Sequence, residues 1–450
     1  MQNITKKFSV NLPIEKTNTK TEVIAGITTF LAMAYIIAVN PDILSKAGMP
    51  QGALVTATCL SAGFTTILMG LYAKLPLGLA SGMGLNAFFA FTVVLQMGVH
   101  WTVALTAVFV EGIIFILLSL FKVREAVVNC IPKNLKYAVT AGIGLFIAFI
   151  GMQNAGLVVK NDATLVSLGT FKAPTVIIAF IGIIIIAVLE KKKIKGAILW
   201  GILSSTLIAW FFAFFKPEVA ASYRIFLPQG FFKFESIAPI AMKLDFSLLT
   251  SAQGIVTFIG IVFTFLFVDF FDTVGTLVGV ASRANMLDKK GNMPNAGKAL
   301  LVDAIGTTTG ALMGVSAVTT YVESSTGVEA GGRTGLTAVV TGILFLIAMF
   351  FSPIFIAIPS CATAAALIYV GYLMLGSVKN IDFSEITEAL PAFLTIAMMP
   401  LTYSIGDGLI FGVLSYVILN LLNNIFSKEK KQVSFIMIIL AVIFMIKLIL

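Results

Sequence analysis

The sequence predicts an all-α polytopic membrane protein of about fourteen spans. The spans form two inverted repeats of seven, with short β-like breaks in spans 3 and 10. Three observations carry this reading. The chain has 450 residues, of which 58% are hydrophobic and 11% charged. Its mean hydropathy is +1.02. A soluble domain carries about 45–50% apolar and about 25% charged residues, so this chain has too little charge to cover a water-facing surface. Apolar stretches then recur from residue 24 to the C-terminus. Finally, the two halves echo each other in order. A soluble enzyme, a disordered chain and a disulfide scaffold are excluded.

Taken in order, the first seven spans fall near 23–40, 53–72, 84–98, 101–121, 134–157, 174–189 and 196–215. A polar connection, 216–249, follows. The second seven fall near 250–280, 299–315, 322–333, 335–351, 360–377, 389–404 and 406–425. Residues 1–22 are polar, with no apolar core before residue 23, which argues against a cleaved signal peptide. Clusters such as Lys122/Arg124/Lys133/Lys136, Lys191/Lys192/Lys193/Lys195 and Arg283/Lys289/Lys290/Lys298 all fall on one side of this arrangement. Cytoplasmic loops carry the excess of Lys and Arg, so the N-terminus is expected in the cytoplasm of a cell-membrane protein and 216–249 outside. The net charge of +9 is accounted for in the same way, without a nucleic-acid partner. In the C-terminal segment 426–450, the extra apolar stretch 433–450 either spans the bilayer or lies along it.

The repeat is read from short matches. Thr66-Ile67-Leu68-Met69-Gly70-Leu71 echoes Gly310-Ala311-Leu312-Met313-Gly314-Val315, and Ile131-Pro132 opens one span as Ile358-Pro359 opens another. An odd number of spans inserts the second copy upside down, which is a transporter arrangement with its site at broken helices near the midplane. Leu75-Pro76-Leu77-Gly78-Leu79-Ala80-Ser81-Gly82-Met83-Gly84 reads as one break. The β-prone Ser316-Ala317-Val318-Thr319-Thr320-Tyr321-Val322 reads as the other. Each lies in the third span of its half. Non-helical backbone at membrane depth is tolerated only inside protein or beside a cavity.

Ionisable residues inside such spans are functional candidates by default. Asp269 and Asp272 lie three apart and share a helix face. Two carboxylates that close in a dry setting keep one proton between them, as proton coupling requires. The plainer alternative is that they bond backbone amides and hold shape. Glu323 follows the second break directly. Glu329, close to Arg333, reads as one half of a local ion pair. Asn86, just after the first break, offers a donor and an acceptor. Phe88 and Phe89 offer aromatic faces, although with 38 phenylalanines packing is the simpler role for any one of them. Glu111, in mid-span, either relays protons or bonds a neighbouring helix. Asp303 and Asp407 sit nearer span ends and are expected in solvent. One histidine, His100, and three scattered cysteines, Cys59, Cys130 and Cys361, provide no metal set, no catalytic triad and no disulfide framework.

At these residues the chain resembles the nucleobase–cation symporter-2 family, most of all its azaguanine-type branch of guanine, hypoxanthine and adenine permeases. The resemblance rests on Gly84-Leu85-Asn86-Ala87-Phe88-Phe89-Ala90-Phe91, on Phe267-Val268-Asp269-Phe270-Phe271-Asp272-Thr273-Val274-Gly275-Thr276 and on Thr320-Tyr321-Val322-Glu323-Ser324-Ser325-Thr326-Gly327. It runs from about residue 13 to about residue 425. It implies a core domain (23–121 and 250–351), a gate domain (122–215 and 352–425), and purine uptake driven by a proton gradient with no bound cofactor. By motif position it implies a site of Asn86, Asp269, Asp272 and Glu323; Phe89, as an aromatic face for a flat ring, and Ser324, next to Glu323, join them as substrate-binding candidates. The candidates for proton coupling are Asp269, Asp272, Glu323 and Glu111. The uracil and xanthine branches more often show Glu and His in the eighth span, where this chain has Asp269 and Asp272. Val322 stands where some relatives have Gly. The expected partners are a purine base, a proton and the lipid bilayer. Gly-rich spans can pack within one chain or across a homodimer, and both arrangements stay open. Rival readings are an anion carrier of the same architecture, a membrane-embedded enzyme and a channel.

Overall fold

The computed structural model describes residues 17–120, 132–283, 293, 295–426 and 431–449. Helices dominate it. In the first half these are α1 (Thr19–Met33), α2 (Ile36–Ser45), α3 (Gln51–Leu68), α4 (Met83–Ala87), α5 (Trp101–Leu120), α6 (Lys133–Ala155), α7 (Pro174–Lys191) and α8 (Ala197–Phe215). In the second half they are α9 (Ala252–Arg283), α10 (Ala296–Met313), α11 (Ser324–Glu329), α12 (Gly335–Ala348), α13 (Ser360–Leu375), α14 (Ile386–Leu401), α15 (Ile405–Phe426) and α16 (Phe435–Ile449). π-Helical turns extend α3 over Met69–Ala73 and α4 over Phe88–Gln96. Among the described residues, nine helical stretches are long and apolar enough to cross a membrane. Met83–Gln96, Gly335–Ala348 and Ile386–Leu401 are apolar but shorter.

Among the described residues four short strands accompany the helices: β1 (Leu79–Ser81), β2 (Val158–Asn161), β3 (Leu165–Leu168) and β4 (Val318–Thr320). β1 and β4 pair antiparallel, with Leu79 opposite Thr320, Ala80 opposite Thr319 and Ser81 opposite Val318. The two expected breaks are therefore bound to each other. β2 and β3 form a hairpin that the sequence reading did not anticipate. The Asn161 side chain organises its turn by accepting hydrogen bonds from the amides of Ala163 and Thr164.

The helices pack in two groups. α1 to α5 pack with α9 to α12, and α6 to α8 pack with α13 to α15. The pairings recur when the halves are exchanged. α3 packs on α12 as α10 packs on α5, and α1 packs on α12 as α9 packs on α5. In the second group, α7 packs on α13 as α14 packs on α6, and α7 on α8 as α14 on α15. Polar contacts cross between the groups. Asp42 on α2 accepts hydrogen bonds from Ser360 (2.6 Å) and Thr363 (2.9 Å) at the start of α13. Lys46 donates to Asn154 on α6 (2.6 Å). α16 packs against α15 and α9, burying Met437, Leu440, Ala441 and Phe444.

One expectation at chain level is corrected. Residues Thr19–Glu22, the end of the polar segment, belong to the first helix. Asn18 caps α1 by accepting from the Thr21 amide, so the helix begins at Thr19. Glu22 is fully buried, where it accepts from the amides of Arg333 (3.0 Å) and Thr334 (3.3 Å) and from the Thr337 hydroxyl (2.5 Å). These donors lie at the N-terminus of α12, where a carboxylate meets unsatisfied N–H groups and the positive end of the helix dipole. Glu22 thus ties α1 to α12.

Close helix approach is set by glycine. A Cβ on Gly371 of α13 would lie 2.7 Å from the Ala148 Cβ and 2.9 Å from its backbone nitrogen, and one on Gly144 of α6 would lie 2.8 Å from the Gly371 carbonyl oxygen. The two backbones touch there, so a side chain forces them apart. Gly371→Leu is expected to cost about 1–3 kcal/mol through overpacking. The measurement is the melting temperature of the purified protein in detergent. An unchanged value would contradict this packing.

Candidate functional site

The β1–β4 pair sits where backbone groups left free by broken helices collect, and polar side chains meet several of them. Thr66 of α3 both accepts from the Leu79 amide and donates to the Leu79 carbonyl, each at 2.9 Å. Ser324 accepts from the Gly78 amide (2.9 Å). The Gly78 carbonyl takes the Tyr321 amide (3.0 Å), and Gly82 donates to Ala317 (2.9 Å). The Tyr321 hydroxyl donates to the Ser81 carbonyl (2.5 Å). Asn86 is buried beside this pair and accepts from the Ser81 hydroxyl (2.7 Å).

Two sets of acidic groups flank the strands. Behind β4, the Thr307 hydroxyl of α10 lies within bonding reach of Asp269 on α9 (3.0 Å) and of the Val318 carbonyl (3.1 Å). Asp303, one turn earlier on α10, accepts from Thr273 (2.9 Å) and from Thr320 of β4 (3.1 Å). Asp303 is therefore fully buried and not in solvent as its place near a span end suggested. The threonines of α9 and β4 supply the donors that keep it there. Beyond β4, Glu323 begins α11 and is partly exposed. The buried Tyr35 donates to its carboxylate (2.5 Å). Tyr35 lies where α1 gives way to α2. Pro41 stands two turns along and supplies no N–H for the Ile37 carbonyl.

The structure thus brings Asn86, Ser324, Asp269 and Glu323 to one strand pair. Phe89 is fully buried, its ring 6.5 Å from that of Phe265, which also meets Phe88 edge-on at 4.9 Å. The Asp272 side chain lies outside the described residues. The sequence reading passed over Tyr35, Thr307 and Tyr321. For Thr307 a signal existed in the run Gly306-Thr307-Thr308-Thr309-Gly310, which is dense in hydroxyls for a buried helix. An open hollow of about 560 Å³ lined by Phe232, Lys233, Phe234, Ile347, Phe350 and Phe351 includes none of the candidate residues. Among the described residues no group of three or more His, Cys, Asp or Glu is placed to hold a metal ion.

Comparison with known proteins decides the family. Residues 20–410 match the profile described as the permease family, that of xanthine and uracil permeases. The chain belongs to that family. This permease is 42% identical over 433 residues to the adenine permease AdeP of Escherichia coli K12, covering 96% of this chain and 93% of that protein. It is 42% identical over 445 residues to the guanine/hypoxanthine permease PbuO of Bacillus subtilis 168, covering 97% and 99%. The transmembrane domain of the cyanobacterial bicarbonate transporter BicA shares the fold, with a TM-score of 0.65 at 17% identity over 89% of this chain and 98% of that one. The anion transporter SLC26A9 of mouse also shares it, with a TM-score of 0.62 at 11% identity over 90% of this chain and 69% of that one. The permease is a multi-pass membrane protein and a transporter, not an enzyme.

Asp303 is the structural test of this site. Removing its carboxylate leaves the Thr273 and Thr320 hydroxyls buried without these acceptors, and each such loss costs about 1–3 kcal/mol. Asp303→Ala is expected to lower the melting temperature in detergent by several degrees, on the order of 2–4 °C per kcal/mol. Asp407→Ala, at a partly exposed position on α15, is expected to leave it within the scatter of surface substitutions.

Proposed function

We propose that the permease imports purine nucleobases (guanine, hypoxanthine and adenine) by proton symport. The observation that carries this reading is the partly exposed Glu323 at the start of α11, with Asp269 held behind the same strand. A carboxylate there accepts the N–H groups of a neutral base, and the break leaves backbone groups to complete its edge. Asn86 and Ser324 hold the two broken backbones in place, and Phe89 supports the aromatic wall through Phe265. Asp272 lies three residues beyond Asp269 on the same helix. Relatives named for adenine and for guanine and hypoxanthine transport, at 42% identity over nearly the whole chain, support the cargo.

The architecture completes the proposal. Fourteen spans form two inverted sevens, and the recurrence of helix pairings under exchange of the halves supports this. Residues 23–121 and 250–351 make the core domain that carries the site. Residues 122–215 and 352–425 make the gate domain against which it moves. The N-terminus faces the cytoplasm. Proton binding neutralises the carboxylate site and lets the loaded core cross.

A second reading follows from the shared fold with bicarbonate and SLC26 transporters: an inorganic anion as cargo. Anion sites favour cations or bare helix N-termini, whereas carboxylates flank the break here. Two measurements test the proposal. Glu323→Gln and Asp269→Asn are each expected to abolish uptake of labelled base while the protein still reaches the membrane; normal uptake in both would overturn the site. Unlabelled guanine or adenine is expected to compete with labelled base and sulfate is not; competition by sulfate alone would move the cargo to anions.

A further inference from the structure

Among the described residues the buried charged side chains are all acidic: Glu22, Asp42, Glu111, Asp269 and Asp303. Four of them have donors already named. Glu22 takes the amides that begin α12, Asp42 the hydroxyls of Ser360 and Thr363, Asp269 that of Thr307, and Asp303 those of Thr273 and Thr320. Glu111 on α5 differs. It is fully buried, no hydroxyl or amide donates to either of its carboxylate oxygens, and the side chain it meets within hydrogen-bonding reach is another carboxyl, that of Asp269. Its charged neighbours are Asp303 of α10 and Asp269 of α9, both acidic. The adjacent Gly112 lets α5 lie directly on α10, where a Cβ would come within 2.8 Å of the Thr308 backbone nitrogen. This contact closes the helices around the Glu111 side chain.

Carboxyl groups brought together away from water share protons rather than all carry charge. With a proton on Glu111 the cluster carries one negative charge fewer. When the proton leaves, a further negative charge presses on Asp269 and Asp303. Those two carboxylates are tied to β4 through Thr307 and Thr320, and β4 leads directly into Glu323. The charge state of Glu111 therefore bears on the strand that positions the base-contacting carboxylate.

We infer that Glu111 is the residue that carries the co-transported proton, a site separate from Glu323 and linked to it through β4. This inference rests on the permease reading above, in which Glu323 and Asp269 form the base site.

The experiment uses Glu111→Gln, which keeps the shape of the protonated side chain, in proteoliposomes with labelled adenine or guanine. Exchange of internal for external base needs no net proton movement and is expected to persist. Accumulation of base driven by an inside-alkaline pH gradient is expected to disappear, and Glu111→Asp, which titrates, is expected to restore part of it. Gradient-driven accumulation by Glu111→Gln at the wild-type level would overturn the inference. If exchange is also lost, base binding to the purified variant across pH decides. Wild-type affinity changes by up to about tenfold per pH unit when one proton is linked to binding. A flat profile in Glu111→Gln supports the inference, and a wild-type slope overturns it. Failure of the wild-type protein itself to bind or exchange any purine would overturn the proposed function instead, and is seen separately.

Discussion

The structure depends on one constraint: broken helices inside an apolar protein must have their freed backbone groups satisfied. An unpaired peptide group in such a setting costs several kcal/mol. Here β1 and β4 meet much of that demand for each other, and Thr66, Ser324, Tyr321 and Thr307 meet part of what the strands leave over. The polar side chains gathered for this purpose are the ones that can also face a ligand. Site and scaffold are thus made of the same hydrogen bonds. This is why Asn86 and Ser324 are fixed by local partners while Glu323, at the edge of the pair, retains exposure.

Both breaks were legible in the sequence, because Gly and Pro in one and β-branched residues in the other contradict helix in otherwise uniform apolar stretches. Asp269 and Glu323 stood out because carboxylates are rare at such depth. Other parts left no local mark. Asp303 looked like a solvated end residue because its threonine donors lie on α9 and β4, 30 and 17 positions away. Glu22 looked like part of a polar tail because its donors lie more than 300 residues along the chain. Tyr35 sits in an unremarkable apolar run, and its role appears only with Glu323 beside it. Apolar periodicity has little power where every face of a helix is apolar. The β2–β3 hairpin was missed for a different reason: its turn chemistry, Asn161 to Thr164, was left unread between two spans.

The shared fold with bicarbonate and SLC26 transporters shows how little the scaffold alone says about cargo. At 11–17% identity the helices superpose, yet what chemistry the broken helices present is set by side chains. In this permease the side chains around the breaks include Glu323, Asp269 and Asp303 with the hydroxyls of Tyr35, Thr273, Thr307 and Thr320. Their donors come from α9, α10, β4 and the junction of α1 and α2, so changing one side chain alters the surroundings of several others. Buried polar networks behave in this way, stable when complete and costly when one member is missing.

The strand pair also has a consequence for how the protein is made. β1 is synthesised about 240 residues before its partner, on the order of tens of seconds earlier at ordinary translation rates. Throughout that interval the newborn first half holds an open edge with no mate. Until the ribosome delivers Val318–Thr320, insertion machinery or a watery vestibule has to shelter Leu79–Ser81 from lipid.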